Sequence, residues 1–259
     1  MRLPTIHGVI DRRILLNYRV EPQVLAGNLP SPFRPQVFDG WALAGVCLIR
    51  LRDIRMNWLP RICGLCSENA AYRAAVEWDS PTGVQRGVFV WHRVTSSRIN
   101  ALAGSRIFPG VHERQTFRVS ESDETYCIQV EDGSSHGFQI DVQASLISPP
   151  GTLTPSSFAN RATCVCGSSV GYSLTRHGKS FEGLRLEVDH DNAQPMSVAR
   201  QEIGFFQDEA RFPKGTIHFD HALLMRNVPH HWGGAPPLSA SQTSKTLQTV
   251  CHTRAVGRQ

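Results

Sequence analysis

Lysine is nearly missing from this sequence. Among 259 residues only Lys179, Lys214 and Lys245 are lysine, although Lys and Arg together number 27 and the net charge is +5. The basic side is therefore arginine, a planar two-pronged donor that keeps its proton. That suits anionic partners, although high-GC coding produces the same bias with no functional meaning. No run of five or more basic residues occurs, so no nucleic-acid partner is expected. No apolar run reaches the ~18 residues of a membrane helix, and MRLPTIHGVIDRR has no apolar core of a signal peptide. No membrane partner is expected either.

Other absences narrow the chemistry. No GxGxxG follows a strand and no GxxxxGK[ST] occurs, so phosphate-cradling loops are unsupported. Gly167-Ser168-Ser169-Val170-Gly171 lacks a base at a known spacing, which argues against a serine hydrolase. Seven cysteines are an odd number, with no secretory context to pair them. Cys63-x-x-Cys66 and Cys164-x-Cys166 have ligand-like spacings, but they lie far apart and outside any knuckle-like context. They read as reduced thiols of a cytoplasmic protein, with no metal and no cofactor. His218-x-x-His221 sits in a strand pattern, where a spacing of three puts two side chains on opposite faces.

What is present reads mostly as strand. Ile14–Tyr18, Trp41–Leu51, Ala70–Trp78 and Gly87–Trp91 are apolar runs rich in strand formers. The last two are joined across the turn signal Asp79-Ser80-Pro81-Thr82-Gly83. Gln115–Val119, Thr125–Val130 and Gly137–Leu146 form a meander pattern, followed by Val170–Leu174, Gly183–Val188 and Ile217–Met225. Helices are few and short. Pro22–Gly27 opens on a proline, Ser97–Ala103 has Ser96 or Ser97 as N-cap, and a third lies around Phe205–Ala210. The expectation is one domain over residues 1–232, with Gly233–Gln259 a disordered tail. Its class is β-rich α+β, a closed or nearly closed barrel, since closure removes exposed edges.

Two places carry chemistry. Ser67-Glu68-Asn69 heads an apolar strand. A carboxylate there, facing a barrel interior, is desolvated toward general-acid range; the plainer alternative is a rim carboxylate paired with an arginine. The second place is the Phe108-Pro109-Gly110 corner, bracketed by Arg98, Arg106 and His112. It is either a pocket wall or simple chain reversal.

The segments GWALAGVCLIRLRDIR, SENAAYRAAVEW, TSSRINALAGSRIFPGVH and RFPKGTIHFDHALLM resemble the YqjF-like uncharacterised conserved family. More distantly, Asn17–Pro22 with Leu29-Pro30, and Gly104–Pro109, resemble the acetoacetate decarboxylase-like superfamily. That resemblance implies a cone-shaped antiparallel β-barrel with a few short helices and a central pocket. In those decarboxylases a lysine pair follows the aromatic-Pro corner, and the handling of a Schiff-base lysine by a neighbouring cation is well known from them. Here Gly110 and Val111 stand in its place. By position Glu68 matches the superfamily's pocket glutamate, and Arg12 or Arg13 lies near its pocket arginine.

The implied site has Glu68 and His112 as acid or base, with Arg106, Arg98, Asn69, Arg12 and Arg13 binding substrate. The implied reaction is non-covalent, a lyase, isomerase or hydratase step on a small carboxylate or keto acid. The alternative is a barrel that binds a small organic acid or apolar molecule without chemistry. A homo-oligomer is compatible with either.

Overall fold

The structure is a computed structural model. It describes residues 6–56, 58–60, 62, 64–103, 112–131, 139–147, 169–175, 178, 180–188 and 193–239. Four long strands open the chain: β1 (Ile6–Val20), β4 (Trp41–Met56), β5 (Leu65–Ser80) and β6 (Gly83–Thr95). Between the first two lie helix α1 (Pro22–Gly27) and the short strands β2 (Arg34–Pro35) and β3 (Val37–Phe38). Helix α2 (Arg98–Ala103) then leads toward β7 (His112–Arg114), β8 (Thr116–Glu121), β9 (Thr125–Glu131) and β10 (Ile140–Leu146). The C-terminal half supplies β11 (Ser169–Leu174), β12 (Ser180–Val188), β13 (Gln194–Ile203), helix α3 (Gly204–Gln207) and β14 (Ile217–Ser239).

The pairing closes on itself. It runs β1–β4–β5–β6–β11–β12–β14 and returns to β1 through a ladder from Ile6↔Trp232 to Val20↔Ile217. The ring is not wholly antiparallel: β11 joins β6 in parallel, as does the short β7. β14 holds two neighbours on its second edge, β13 at Ala222–Leu224 and β12 at His230–Ser239. From β13 a wing of β10, β9 and β8 extends away from the ring.

Local chemistry fixes several of these elements. Pro22 occupies the first turn of α1, where its missing N–H costs nothing. Ser97 Oγ accepts the Asn100 backbone N–H at 3.2 Å and so caps α2. The β5–β6 hairpin turns at Gly83, whose φ of 105° favours a residue without a Cβ. The strands run longer than the apolar runs alone suggest: β1 begins at Ile6, and β13 has no apolar run to announce it. The third helix is four residues, Gly204–Gln207, because the chain returns to extended backbone at Asp208. β14 continues past Trp232 through Ser239, since Gly233–Ala235 and Leu238–Ser239 pair with β12. The ordered sheet thus reaches beyond the expected domain boundary, and residues 240–259 lie outside the described residues.

The two faces of the ring strands are buried differently. Ile14, Leu16 and Tyr18 of β1 pack with Ala70, Tyr72 and Ala74 of β5 and with Ile128, Val130 and Val142 of the wing. The other face carries Leu15, Cys47, Leu51, Leu223, Met225 and Trp232. Phe33, in the loop after α1, meets Trp78, Phe89, Tyr172 and Phe181, so one ring ties β5, β6, β11 and β12 together. Phe181 is fully buried in that cluster. Phe181→Ala is expected to lower stability by about 3–5 kcal/mol in urea unfolding. Trp58→Ala, at a side chain 75% exposed, is expected to stay within about 0.5 kcal/mol. A loss under 1 kcal/mol at Phe181 would mean that the aromatic cluster does not hold these strands together.

Candidate functional site

A cavity of about 110 Å³ opens inside the ring. Its wall comes from strands on opposite sides: Ile49 and Leu51 of β4, Val94 of β6, Leu184 of β12 and Trp232 of β14. Four polar side chains join this apolar wall, namely Asn69, Arg93, Asn100 and His112. The volume is of the order that admits a small organic molecule; a dry cavity of about 150 Å³ holds benzene.

Sheet register brings the polar groups together. His112 stands directly across from Arg93 in the parallel β6–β7 pair, and Asn69 lies opposite Thr95 in β5–β6. Asn100 arrives from α2, which its Ser97 cap starts at the right place. The side-chain amides are oriented by Ser67: Asn69 Nδ2 donates to Ser67 Oγ at 2.9 Å, and Asn100 Nδ2 donates to the same oxygen at 3.2 Å. Asn69 Nδ2 also reaches Ser67 O at 3.1 Å. With the amide nitrogens committed to Ser67, each Oδ1 serves as the acceptor end. Arg93 Nη1 donates to Ser173 Oγ of β11. Burial pulls its guanidinium down to about 10 while Glu182 works the other way, so it stays cationic at neutral pH.

Glu68 is elsewhere. Asn69, Ala70 and Ala71 of β5 line the cavity and Glu68 does not; its side chain lies on the opposite side of the strand from Asn69. Glu68 sits on the rung Arg12–Arg50–Glu68 across β1, β4 and β5. Its Oε2 lies 2.5 Å from Arg12 Nη2 and its Oε1 2.5 Å from Arg50 Nε. Glu121, at the end of β8, closes the square by pairing with Arg12 Nη1 at 2.6 Å and with Arg50. Burial works to raise the Glu121 carboxyl, but Arg12 and Arg50 outweigh it and hold it below its ordinary value. The expected desolvated acid is thus paired with two arginines of the ring, and Glu121, paired with the same two, ties the wing to it.

The remaining arginines separate as well. Arg12 belongs to that square, with a side chain 3% exposed. Arg13 faces the side of Leu15 and donates Nε to Cys47 Sγ at 3.2 Å, without lining the cavity. Arg98 is exposed on α2. Arg106 and the Phe108-Pro109-Gly110 corner lie outside the described residues, as do Cys63, Cys164 and Cys166. Of the anticipated residues, then, His112 and Asn69 meet in the cavity. Arg93 and Asn100 were not anticipated. Arg93 had a signal, a lone charge inside the apolar run of β6; Asn100 had none, since it depends on how α2 docks.

Among the described residues, no group of three or more His, Cys, Asp or Glu is arranged to hold a metal. No helix there is long and apolar enough to cross a membrane. His218 and His221 of β14 have separate surroundings: His218 is exposed beside Gly215 O, and His221 contacts Asp220 and Asn17.

The DUF2071 profile, for an uncharacterised conserved protein, matches residues 10–215. The chain belongs to that family. Its fold matches solved structures of acetoacetate decarboxylase-like proteins. The acetoacetate decarboxylase of Legionella pneumophila superposes with a TM-score of 0.52 at 14% identity, over 90% of this chain and 88% of that one. The enduracididine biosynthesis enzyme MppR, complexed with pyruvate, gives 0.56 at 9% identity, over 92% and 90%. An acetoacetate decarboxylase-like enzyme from Sphingomonas wittichii RW1 gives 0.52 at 11% identity, over 92% and 91%. No curated protein matches in sequence. At such identities the likeness is one of fold, and it covers nearly the whole of each chain.

Two stability effects follow. Glu68→Gln leaves the buried Arg12 short of counter-charge and is expected to cost about 3–5 kcal/mol in urea unfolding. A cost below 1 kcal/mol would rank the square with ordinary surface pairs. His230, beside Trp232, is buried, and burial pushes its imidazole down to about 4. Its folded value is depressed, so the unfolded chain takes the proton first as pH falls. Stability present above pH 6.5 is lost toward pH 4, by about 3 kcal/mol in total. Thermal unfolding from pH 7 to 4 should show that slope, and His230→Asn should flatten it.

Proposed function

We propose that the protein is a non-covalent acid–base enzyme acting on a small carboxylate or keto acid held in the ring cavity. The observation that carries this reading is the side-by-side placement of His112 and Arg93 in a mostly apolar pocket. Arg93 would orient the substrate anion through a charge-assisted hydrogen bond. His112 would give or take the proton, since imidazole titrates near neutral pH. Asn69 and Asn100 offer amide oxygens that can accept from a substrate hydroxyl or enol. A lyase, isomerase or hydratase step uses these groups alone. The fold neighbour MppR is a pyruvate complex, which supports a keto acid as the first ligand class to examine.

A covalent amine route has less support. Gly110 and Val111 follow Phe108-Pro109 where the superfamily's lysines are implied, and Lys214 is exposed in the turn before β14. Glu68 has no acid–base part in this reading, because both its oxygens are engaged by Arg12 and Arg50. The second reading is a barrel that binds without chemistry; the predominance of apolar side chains in the cavity wall favours it.

A thermal-shift screen of keto acids, hydroxy acids and apolar carboxylates separates the two, followed by NMR assay of each stabilising compound for turnover. A ligand at 100 times its dissociation constant adds about 2.7 kcal/mol. Turnover by the wild type that disappears in His112→Ala while binding persists supports the enzyme. Binding by the wild type with no product between pH 5 and 9 supports the binding barrel. Turnover unchanged in His112→Ala would remove His112 from the mechanism.

A further inference from the structure

One rung further along the ring from the cavity lies a second polar row. Asn69, Ala71 and Arg73 alternate along β5 on one face, and the first two line the cavity. Arg73 is level with Gly45 of β4, Gly45 with Asn17 of β1, and Asn17 with His221 of β14. Gly45 is what lets the row connect. Without a side chain there, Arg73 reaches over β4 and its Nη2 donates to Asn17 Oδ1 at 2.6 Å. A Cβ on Gly45 would stand 2.4 Å from Leu16 O and 3.1 Å from Asn17 Oδ1.

The row is oriented from its far end. His221 Nδ1 lies 2.5 Å from Asp220 Oδ2, and Asp220 is itself paired with Arg19. A carboxylate accepts only, so Nδ1 carries the proton and Nε2 is left to accept. Asn17 Nδ2 donates to it at 2.8 Å. This fixes the Asn17 amide with its oxygen toward Arg73. Burial holds His221 below its ordinary value and Asp220 opposes this, while Arg73 and Arg19 add to the depression.

Arg73 is thereby anchored at one nitrogen, while its other two are buried and unpaired. The residue is 4% exposed, and its Nε and Nη1 have no hydrogen-bond partner among the described residues. No carboxylate among them lies within ion-pair distance of it, since Asp220 is two side chains away and is already neutralised by Arg19. Ala71 and Ala75 flank it on β5, Gly45 stands opposite it on β4 and Val90 stands opposite it on β6. A buried guanidinium without counter-charge is strongly unfavourable unless something anionic meets it. A fixed orientation and two unused buried donors leave this guanidinium wanting a counter-charge.

We propose that Arg73 is an anion-binding residue of the ring interior, taking a small carboxylate or comparable oxyanion on its Nε and Nη1 side. Asn17, His221 and Asp220 are its positioning residues. The site is independent of any reaction at His112.

The test is calorimetric titration of the wild type and of Arg73→Met with acetate, pyruvate and inorganic phosphate in chloride-free buffer. At least one of these should bind the wild type, and Arg73→Met should weaken it tenfold or more. Carboxylate binding that depends on Arg73 supports an organic-acid site, and phosphate binding that depends on it supports an inorganic one. No binding of any probe to the wild type, or equal binding to both proteins, overturns the proposal. Binding that survives Arg73→Met but is lost in His112→Ala upholds the cavity reading and overturns this one.

Should Arg73→Met fail to fold, the wild type carries the test through NMR titration of His221. An anion on Arg73 offsets the charge that opposes protonation, so the His221 midpoint should rise with added probe. A midpoint unmoved by 100 mM of each probe would be decisive against the site.

Discussion

The ladder between β1 and β14 is the constraint on which everything else depends. It joins Ile6–Val20 to Ile217–Trp232, segments near opposite ends of the described chain, and it turns a long sheet into a ring. A contact of such sequence separation is entropically costly to form. It is supported along its length by apolar pairs such as Ile14↔Leu224 and Leu16↔Ala222, all buried. Without that closure β12 and β14 would not stand opposite β4 and β6, and there would be no cavity between Leu184, Trp232, Ile49 and Val94.

Closure also gives each strand two unlike faces, and a one-residue step decides a side chain's role. Glu68 and Asn69 are neighbours in sequence, yet one pairs with Arg12 and Arg50 while the other lines the cavity. The same alternation divides Arg12 from Arg13 and Tyr72 from Arg73. Two arginine rows result, with different electrostatics. On the wing side Arg12 and Arg50 are matched by Glu68 and Glu121. On the ring-interior side Arg73 is met by the Asn17 amide, which His221 holds in turn, and Asp220 behind that imidazole is paired with Arg19. Arginine suits both settings because its charge persists when buried.

The likeness to acetoacetate decarboxylase-like structures fits this arrangement at the level of fold. Within that fold this chain places its own side chains: His112 beside Arg93 at the cavity, and Arg73 one rung away. Function is set by such sites and not by the ring itself.

The sequence by itself determined the element types and several of their ends. Pro22 starts α1, Ser97 caps α2, Gly83 turns the β5–β6 hairpin, and the apolar runs of β4, β5 and β9 are strands because local chemistry and alternation suffice. The Ser67-Glu68-Asn69 stretch and the Phe108-Pro109-Gly110 corner stood out too; Asn69 and His112 from them line the cavity, and Glu68 does not. Tertiary structure alone decided the rest. Which face of β5 meets the cavity depends on register across three strands, so Glu68 could be recognised but not placed. Arg93, Asn100 and the row from Arg73 to His221 combine residues far apart in the chain, and the row is joined only because Gly45 leaves a gap in β4. The extent of β14 was likewise hidden, because Gly233–Ala235 look like a tail until β12 supplies a partner for them.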